Sequence, residues 1–362
     1  MTKTNPEING YRLTPIWDGH MHPHDPVPIE DTIRIFKDAM AHFNYDKIVI
    51  NALPSHGYAD SFKAIYIKTQ IPNVYANAGL SHYYDERDHA EAFLAQAKAF
   101  YTMGCDGFKM LEGKPDDRKR IGIRVDDPIY DKFYGFIEEK GLPCLMHVGD
   151  PFEFWDIDLI PKWALERGWL YDKSYPSLED LRKEVANVLK KHPNLHLILA
   201  HFYFMSHDYN LAVEFMEKYP NVCIDLTPGK EMYVNFEKDL PLWRGFFEKY
   251  ADRILYGSDR YNWDIPKEEL ESTRSHAVNL VRSFLEKEEF HCAWTNTFMH
   301  GFGFKGEILD KIYYKNAERL YGKVPRKVDF ELLKADLKNC LEKDELSTID
   351  RQNLKTILEI RD

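Results

Sequence analysis

The 362-residue chain has few cysteines, five in all, and Cys105, Cys144 and Cys223 stand in or beside apolar runs without zinc-knuckle spacing. That usage argues against a disulfide scaffold and points to buried, reduced thiols in a cytoplasmic protein. Basic charge is not in excess either. Lys and Arg number 48 against 59 Asp and Glu, a formal net charge of −11, which sets aside a nucleic-acid backbone or an anionic membrane surface as main partner. No stretch approaches the roughly 18 apolar residues that span a bilayer. Met1 to Gly10 is polar and lacks the apolar segment of a signal peptide. None of the strand-like runs is followed by Gly-x-Gly-x-x-Gly and no phosphate loop occurs, so nothing suggests an organic cofactor. A small-molecule substrate is left, because a local cationic site fits within an acidic protein.

What is present is alternation. Eight short, mostly apolar runs are separated by longer segments of helical period: Leu13 to Asp18, Lys47 to Asn51, Val74 to Leu80, Gly107 to Leu111, Pro143 to Val148, Leu195 to His201, Val222 to Leu226 and Arg253 to Tyr256. Near-continuous apolar runs suit parallel strands buried on both faces. Between them, Ile29, Ile33, Phe36, Met40 and Phe43 form one helical stripe, and Leu178, Leu181, Val185, Val188 and Leu189 another, with Ser177 as N-cap and His192-Pro193 as stop. Length alone allows two or three domains, but strand-then-helix eight times over predicts a single distorted (β/α)8 barrel. Its expected span is residues 11–323, followed by a helical appendage over 324–362. An aromatic-rich insertion, Asp150 to Tyr175, follows the fifth strand and is expected to cap the barrel mouth or to make core or subunit contacts; with the charged tail it is compatible with a homodimer.

Polar residues fall at the carboxyl ends of these runs, where barrel enzymes build their sites. The first run leads into Asp18, His20 and His22; in an extended strand both imidazoles share one face, with Met21 opposed. Lys109 lies in the fourth, His147 ends the fifth, His201 the sixth and Asp259 the eighth. A lone strand histidine is more often a satisfied core residue, but several strand-end ligand types in one register point to a metal. Imidazoles with one carboxylate suit a divalent ion, zinc first, with Mn2+, Fe2+ or Co2+ as alternatives. In this reading His20, His22, His147 and Asp259 hold the metal. Asp259 also takes a proton from a metal-activated water, and His201 polarises or orients water or substrate. His24, His56, His82, Arg124, Arg260, Tyr261 and Trp263 are neighbours without an assigned catalytic role.

These residues resemble the amidohydrolase superfamily, in particular its amidohydrolase-related branch of aminocarboxymuconate-semialdehyde decarboxylase-like proteins. The likeness runs through Asp18-Gly19-His20-Met21-His22, Gly107-Phe108-Lys109, Asp126-Asp127-Pro128, Gly141 to His147, Ala200-His201 and Gly257-Ser258-Asp259, and closes with Lys315-Asn316-Ala317-Glu318-Arg319-Leu320-Tyr321-Gly322. It implies a metal held at the positions of His20, His22, His147 and Asp259, and a His201 that is catalytic in decarboxylase-like members or a ligand in binuclear ones. For Lys109 three roles stay open: a pair with a substrate carboxylate or a local acid, a carbamylated bridge between two metals, or a structural contact with Asp106 or Glu112. Hydrolysis of a small, acidic amide, ester or lactone is the first expectation. Non-oxidative decarboxylation or hydration of a small carboxylic acid is the second. A barrel that has lost catalysis is a third reading, which the full ligand set argues against.

Overall fold

The computed structural model describes residues 7–8, 11–12, 14–23, 27–53, 58–82, 89–261, 275–343 and 346–359; His24, His56 and Trp263 lie outside them. Eight parallel strands follow the eight apolar runs: β1 (Trp17–His22), β2 (Lys47–Asn51), β3 (Val74–Gly79), β4 (Gly107–Gly113), β5 (Cys144–Val148), β6 (Leu197–Leu199), β7 (Cys223–Asp225) and β8 (Ile254–Leu255). Each pairs with its sequence neighbour. The ring is drawn nearly shut by the chain after β8. It leaves β7 past Leu255, donates no further to it, and as β9 (Arg260–Tyr261) pairs with β1 through Arg260↔Met21 and Tyr261↔His22. At this crossover the Gly19 amide donates to the Tyr256 carbonyl at 3.1 Å. The fold is the (β/α)8 barrel expected from sequence.

Two apolar layers result from the alternation of side chains across each strand. Outward residues such as Met21, Ile48, Phe108, Met146 and Ile224 pack under the helices. Inward residues Trp17, Val49, Tyr75, Leu145, Ile198, Cys223 and Leu255 fill the barrel and meet Ala317, Leu320 and Tyr321. The family-like closing segment therefore plugs the amino-terminal end of the barrel: Asn316 Nδ2 donates to the carbonyls of Ala251 and Ile254 at 2.8 Å each. From the plug a polar chain climbs the interior, Tyr321 Oη accepting from Asn77 Nδ2 at 2.8 Å, which also reaches Asn51 Oδ1 at 2.7 Å.

Both helical stripes form as their periodicity requires, over Ile29–Phe43 and Leu178–Lys191, and Ser177 Oγ caps the second by accepting from the Asp180 amide. The insertion after β5 makes a short 3₁₀ turn, Phe152–Trp155, and a helix, Lys162–Glu166, around its own small core of Phe154, Ile160, Ala164 and Tyr171. The tail forms two helices, Phe330–Lys343 and Thr348–Glu359. All five cysteines are buried and unbridged. Among the described residues no helix is long and apolar enough to cross a membrane. A Gly-x-Gly-x-x-Gly spacing does follow a strand once, at Gly301-Phe302-Gly303-Phe304-Lys305-Gly306 after the hairpin Glu289–Cys292/Thr297–His300. That hairpin is antiparallel, and Phe302 and Phe304 are core residues, so Gly301 serves close packing: a Cβ there would meet the Phe284 carbonyl at 2.6 Å.

Candidate metal centre

β1 extends through Asp18-Gly19-His20-Met21-His22, so the two imidazoles enter the barrel mouth together while Met21 joins the outer layer. Each ring is fixed by its Nδ1. His20 Nδ1 lies 2.8 Å from Asp225 Oδ2, and His22 Nδ1 lies 2.7 Å from the Asn51 carbonyl. Both partners are acceptors only, so each Nδ1 carries the proton and each Nε2 keeps its lone pair. Both lone pairs face one carboxylate: Asp259 Oδ1 is 3.6 Å from His20 Nε2 and 3.2 Å from His22 Nε2. Among the described residues, His20, His22 and Asp259 form the group whose ligand atoms all lie within 4.8 Å of one another.

Asp259 is delivered by a bent segment. Its own φ is +53°, and Asp18 braces the residues before it, accepting from the Ser258 amide at 3.0 Å and the Ser258 hydroxyl at 2.5 Å. Gly257 is needed here, because a Cβ would sit 2.7 Å from Thr227 Cγ2 and 2.9 Å from His20 Cβ. Burial pushes the Asp259 carboxyl up, but the rings of His22, His20 and His201 around it outweigh that and hold the group well below the usual carboxylate range. Burial likewise drives His20 well down and His147 to about 4, so both are neutral, ligand-ready imidazoles at pH 7.

Lys109 enters from β4, almost wholly buried, with Nζ 3.2 Å from His20 Nε2. A cation thus already stands beside the lone pair that a metal would use. Burial pulls its amine down to about 8, against the opposing charges of Asp259 and Asp225. The acids that could pair with it structurally are otherwise disposed: Asp106 pairs with Lys68 at 2.7 Å, and among the described residues neither Glu112 oxygen has a hydrogen-bond partner.

His147 stands beside the three-residue group without joining it. Its ring is 4.8 Å from that of His201, but its Nε2 is 3.0 Å from the Gly149 carbonyl and 3.4 Å from Asp150 Oδ1. Asp150 in turn accepts from Lys114 and from Tyr171 of the insertion, at 3.1 and 2.5 Å. His201 is presented by four successive residues, His201 to Phe204, with φ between +50° and +56°. Left-handed backbone costs these non-glycine residues about 1–2 kcal/mol each. The turn is held by the His201 amide donating to Asp225 Oδ1 at 2.8 Å and by the burial of Phe202 and Tyr203.

Asp225 is the residue that sequence reasoning passed over. Its Oδ1 accepts from the amides of His201 and Thr227 and from Thr227 Oγ1, while its Oδ2 accepts from His20. Since the Thr227 hydroxyl gives its proton to Asp225, it accepts from His201 Nδ1 at 3.0 Å, leaving His201 Nε2 as an acceptor. One carboxylate sets the tautomers of two site histidines. Of the other neighbours, Arg124 pairs with Asp126 at 2.7 and 2.8 Å, Arg260 turns outward over the Phe43 ring, and His82 bonds Tyr130 Oη at 2.8 Å.

A search of curated proteins finds no match. Solved structures of the same fold include 2,6-dihydroxybenzoate decarboxylase from Rhizobium (15% identity, 85% of this chain and 99% of that one, TM-score 0.51). They also include 4-oxalomesaconate hydratase from Rhodopseudomonas palustris (15%, 91% and 100%, 0.53). A third is a dihydroxybenzoic acid decarboxylase from Polaromonas sp. JS666 with bound manganese (13%, 85% and 97%, 0.50). The amidohydrolase family profile matches residues 17–323. The chain is thus an enzyme of the amidohydrolase family, whose members bind a divalent metal.

Proposed function

We propose that this protein is a metal-dependent lyase that decarboxylates, or hydrates, a small carboxylic acid. The observation that carries the metal is the pair of Nε2 lone pairs on His20 and His22, both directed at Asp259 by protons fixed on Nδ1. His20, His22 and Asp259 would hold the ion, with His147 as fourth ligand through its Nδ1. When bound, the metal supplies a Lewis-acidic centre for the substrate's oxygens and for charge that develops on them. Manganese and zinc are the ions to test first.

The order of the two reactions expected from sequence is reversed. Decarboxylases and a hydratase of carboxylic acids among the structures of this fold favour the lyase over the hydrolase. The buried Lys109 cation supports an acidic substrate, whose carboxylate it would pair with at the floor of the site. In decarboxylation the C–C bond breaks, its electron pair stays on the substrate, carbon dioxide leaves and a proton takes its place. His201 is suited to carry that proton, because its Nδ1 is committed to Thr227, which leaves Nε2, and its ring lies 5.6 Å from that of His20. Were the reaction hydrolytic, the ionised Asp259 would take the water proton and return it to the leaving group.

Incubation of the manganese- or zinc-loaded protein with a panel of hydroxybenzoates and unsaturated dicarboxylates tests the reading. Carbon dioxide released, or water added across a double bond, supports it. Turnover of amides, esters or lactones alone, with the acids untouched, returns the hydrolase to first place. Anomalous scattering from crystals of the loaded protein will show one metal peak if Lys109 binds substrate and two if it is a carbamate bridge.

A further inference from the structure

The helix Thr348–Glu359 lies beyond residues 17–323, the span that matches the family. Leu354 and Ile357 bury themselves in the main core, which ordinary docking explains. Two polar residues of the same helix need another account.

Asn353 is 1% exposed; its Oδ1 accepts from the Ile29 amide at 2.9 Å and its Nδ2 donates to the Val27 carbonyl at 3.0 Å. The helix Ile29–Phe43 begins after Pro28, which offers no side-chain cap, and the first amides of a helix need an outside acceptor. A side chain more than 300 positions away in sequence therefore caps the helix that follows β1.

One turn earlier, Asp350 Oδ1 pairs with Lys63 Nζ at 2.9 Å, and Lys63 pairs with Asp60 Oδ1 at 2.7 Å; Lys63 and Asp60 are both almost fully buried. Asp60 Oδ2 then accepts from the Leu53 amide at 3.3 Å. Leu53 is two residues past Asn51, whose carbonyl fixes the His22 ring. One anchor thus ends on Val27 and Ile29, at the start of the helix after β1, and the other on Leu53, two residues past the His22 acceptor. A buried ion relay is a weak source of stability, since desolvation offsets most of the attraction, but it fixes geometry.

We propose that the C-terminal helix is a positioning element of the metal centre: Asn353, and the relay Asp350–Lys63–Asp60, hold the segments leaving β1 and β2 so that His22 and its Asn51 acceptor stay in register with His20 and Asp259. The proposal rests on the reading of these three residues as a metal site.

The test is a competition titration of Mn2+ and of Zn2+ against a chromophoric chelator, on metal-depleted full-length protein. The proteins compared are wild type, the double variant Asn353→Ala/Asp350→Ala, and Leu354→Ala, with thermal midpoints recorded for each. Leu354→Ala removes core packing from the same helix and leaves both anchors in place. The double variant is expected to bind metal about three- to tenfold more weakly, below the ten- to hundredfold typical of groups touching a ligand directly. Leu354→Ala, at an equal or larger loss of thermal midpoint, is expected to bind as wild type does. Unchanged affinity in the double variant overturns the proposal, as does an equal loss in Leu354→Ala, which would assign the effect to general destabilisation. A wild-type chain that takes up neither ion overturns the metal-centre reading itself, and this proposal with it.

Discussion

On the arc of the barrel mouth formed by β1, β7 and β8, buried carboxylates are saturated. Asp18 accepts from the His20 and Ser258 amides and the Ser258 hydroxyl, and Asp225 from four donors, while the half-buried Asp259 faces the bare nitrogens of two imidazoles. On the arc of β3 and β4, Glu112 is fully buried with neither oxygen hydrogen-bonded among the described residues, and His82 Nε2 is 3.4 Å away. The first arc spends its hydrogen bonds on deciding which nitrogen of each ring is bare, as rigid ligation requires. The second keeps a polar group in which burial outweighs its charged neighbours and pushes the carboxyl up to about 8, so that it holds a proton at neutral pH.

The largest effects should come from breaking the saturated arc at its ligands. His22→Ala or Asp259→Asn should lose metal by two or more orders of magnitude in affinity, on the order expected when one of three or four ligands goes. Metal content after dialysis measures this, and full retention by both variants would remove the centre from this arc. One layer out, Asp225→Asn should weaken metal binding about ten- to hundredfold, since it frees the His20 tautomer. It should also remain slow at saturating metal, because His201 loses its orientation through Thr227. Thr227→Val separates the two effects: it leaves the Asp225–His20 contact in place, so metal affinity should stay within about twofold of wild type while turnover falls roughly ten- to hundredfold.

How much of this was legible in the sequence follows from the same contrast. Strand positions could be read because apolar runs buried on both faces leave a direct signature. The grouping of His20, His22 and Asp259 could be read because side chains of metal-binding type are few and these stand at strand ends, which the barrel brings together. Asp225 left a fainter sign: Cys223 faces the barrel interior and Ile224 the outer layer, so Asp225 falls inward again, a charge at an interior position of an otherwise plain strand. The left-handed turn at His201 to Phe204 left none, because Phe and Tyr carry no preference for positive φ and tertiary contacts alone impose it. Glu112 could be read only as a contact for Lys109, and its burial could not, because an irregularity of register between Met110 and Gly113 resets the alternation that tells inside from outside. The clamp by Asn353 joins residues too far apart in sequence for any local pattern to record it.

Glu112 offers the smallest effect and the sharpest test of the contrast. Its carboxyl is raised from 4.5 to about 8 by burial, with the nearby Asp117 adding to the rise and Lys109 opposing it. Below pH 4.5 the group is protonated in both folded and unfolded chains and costs nothing through ionisation. Between pH 4.5 and about 8 the unfolded chain releases the proton and the folded chain keeps it, so stability falls as pH rises; above that the cost is constant. The full displacement corresponds to at most roughly 5 kcal/mol, and local relaxation and entry of water reduce it. Glu112→Gln carries no titrating proton, so its stability relative to wild type should be lowest at pH 4, where any cost of the unpaired amide stands alone, and should rise by about 1–2 kcal/mol or more by pH 9, local relaxation keeping the rise below the full displacement. Denaturant unfolding at pH 4, 6.5 and 9 reads the trend. A difference that stays flat across the three values would mean that Glu112 is balanced in solution, and the two arcs would then differ in geometry but not in how their charges are met.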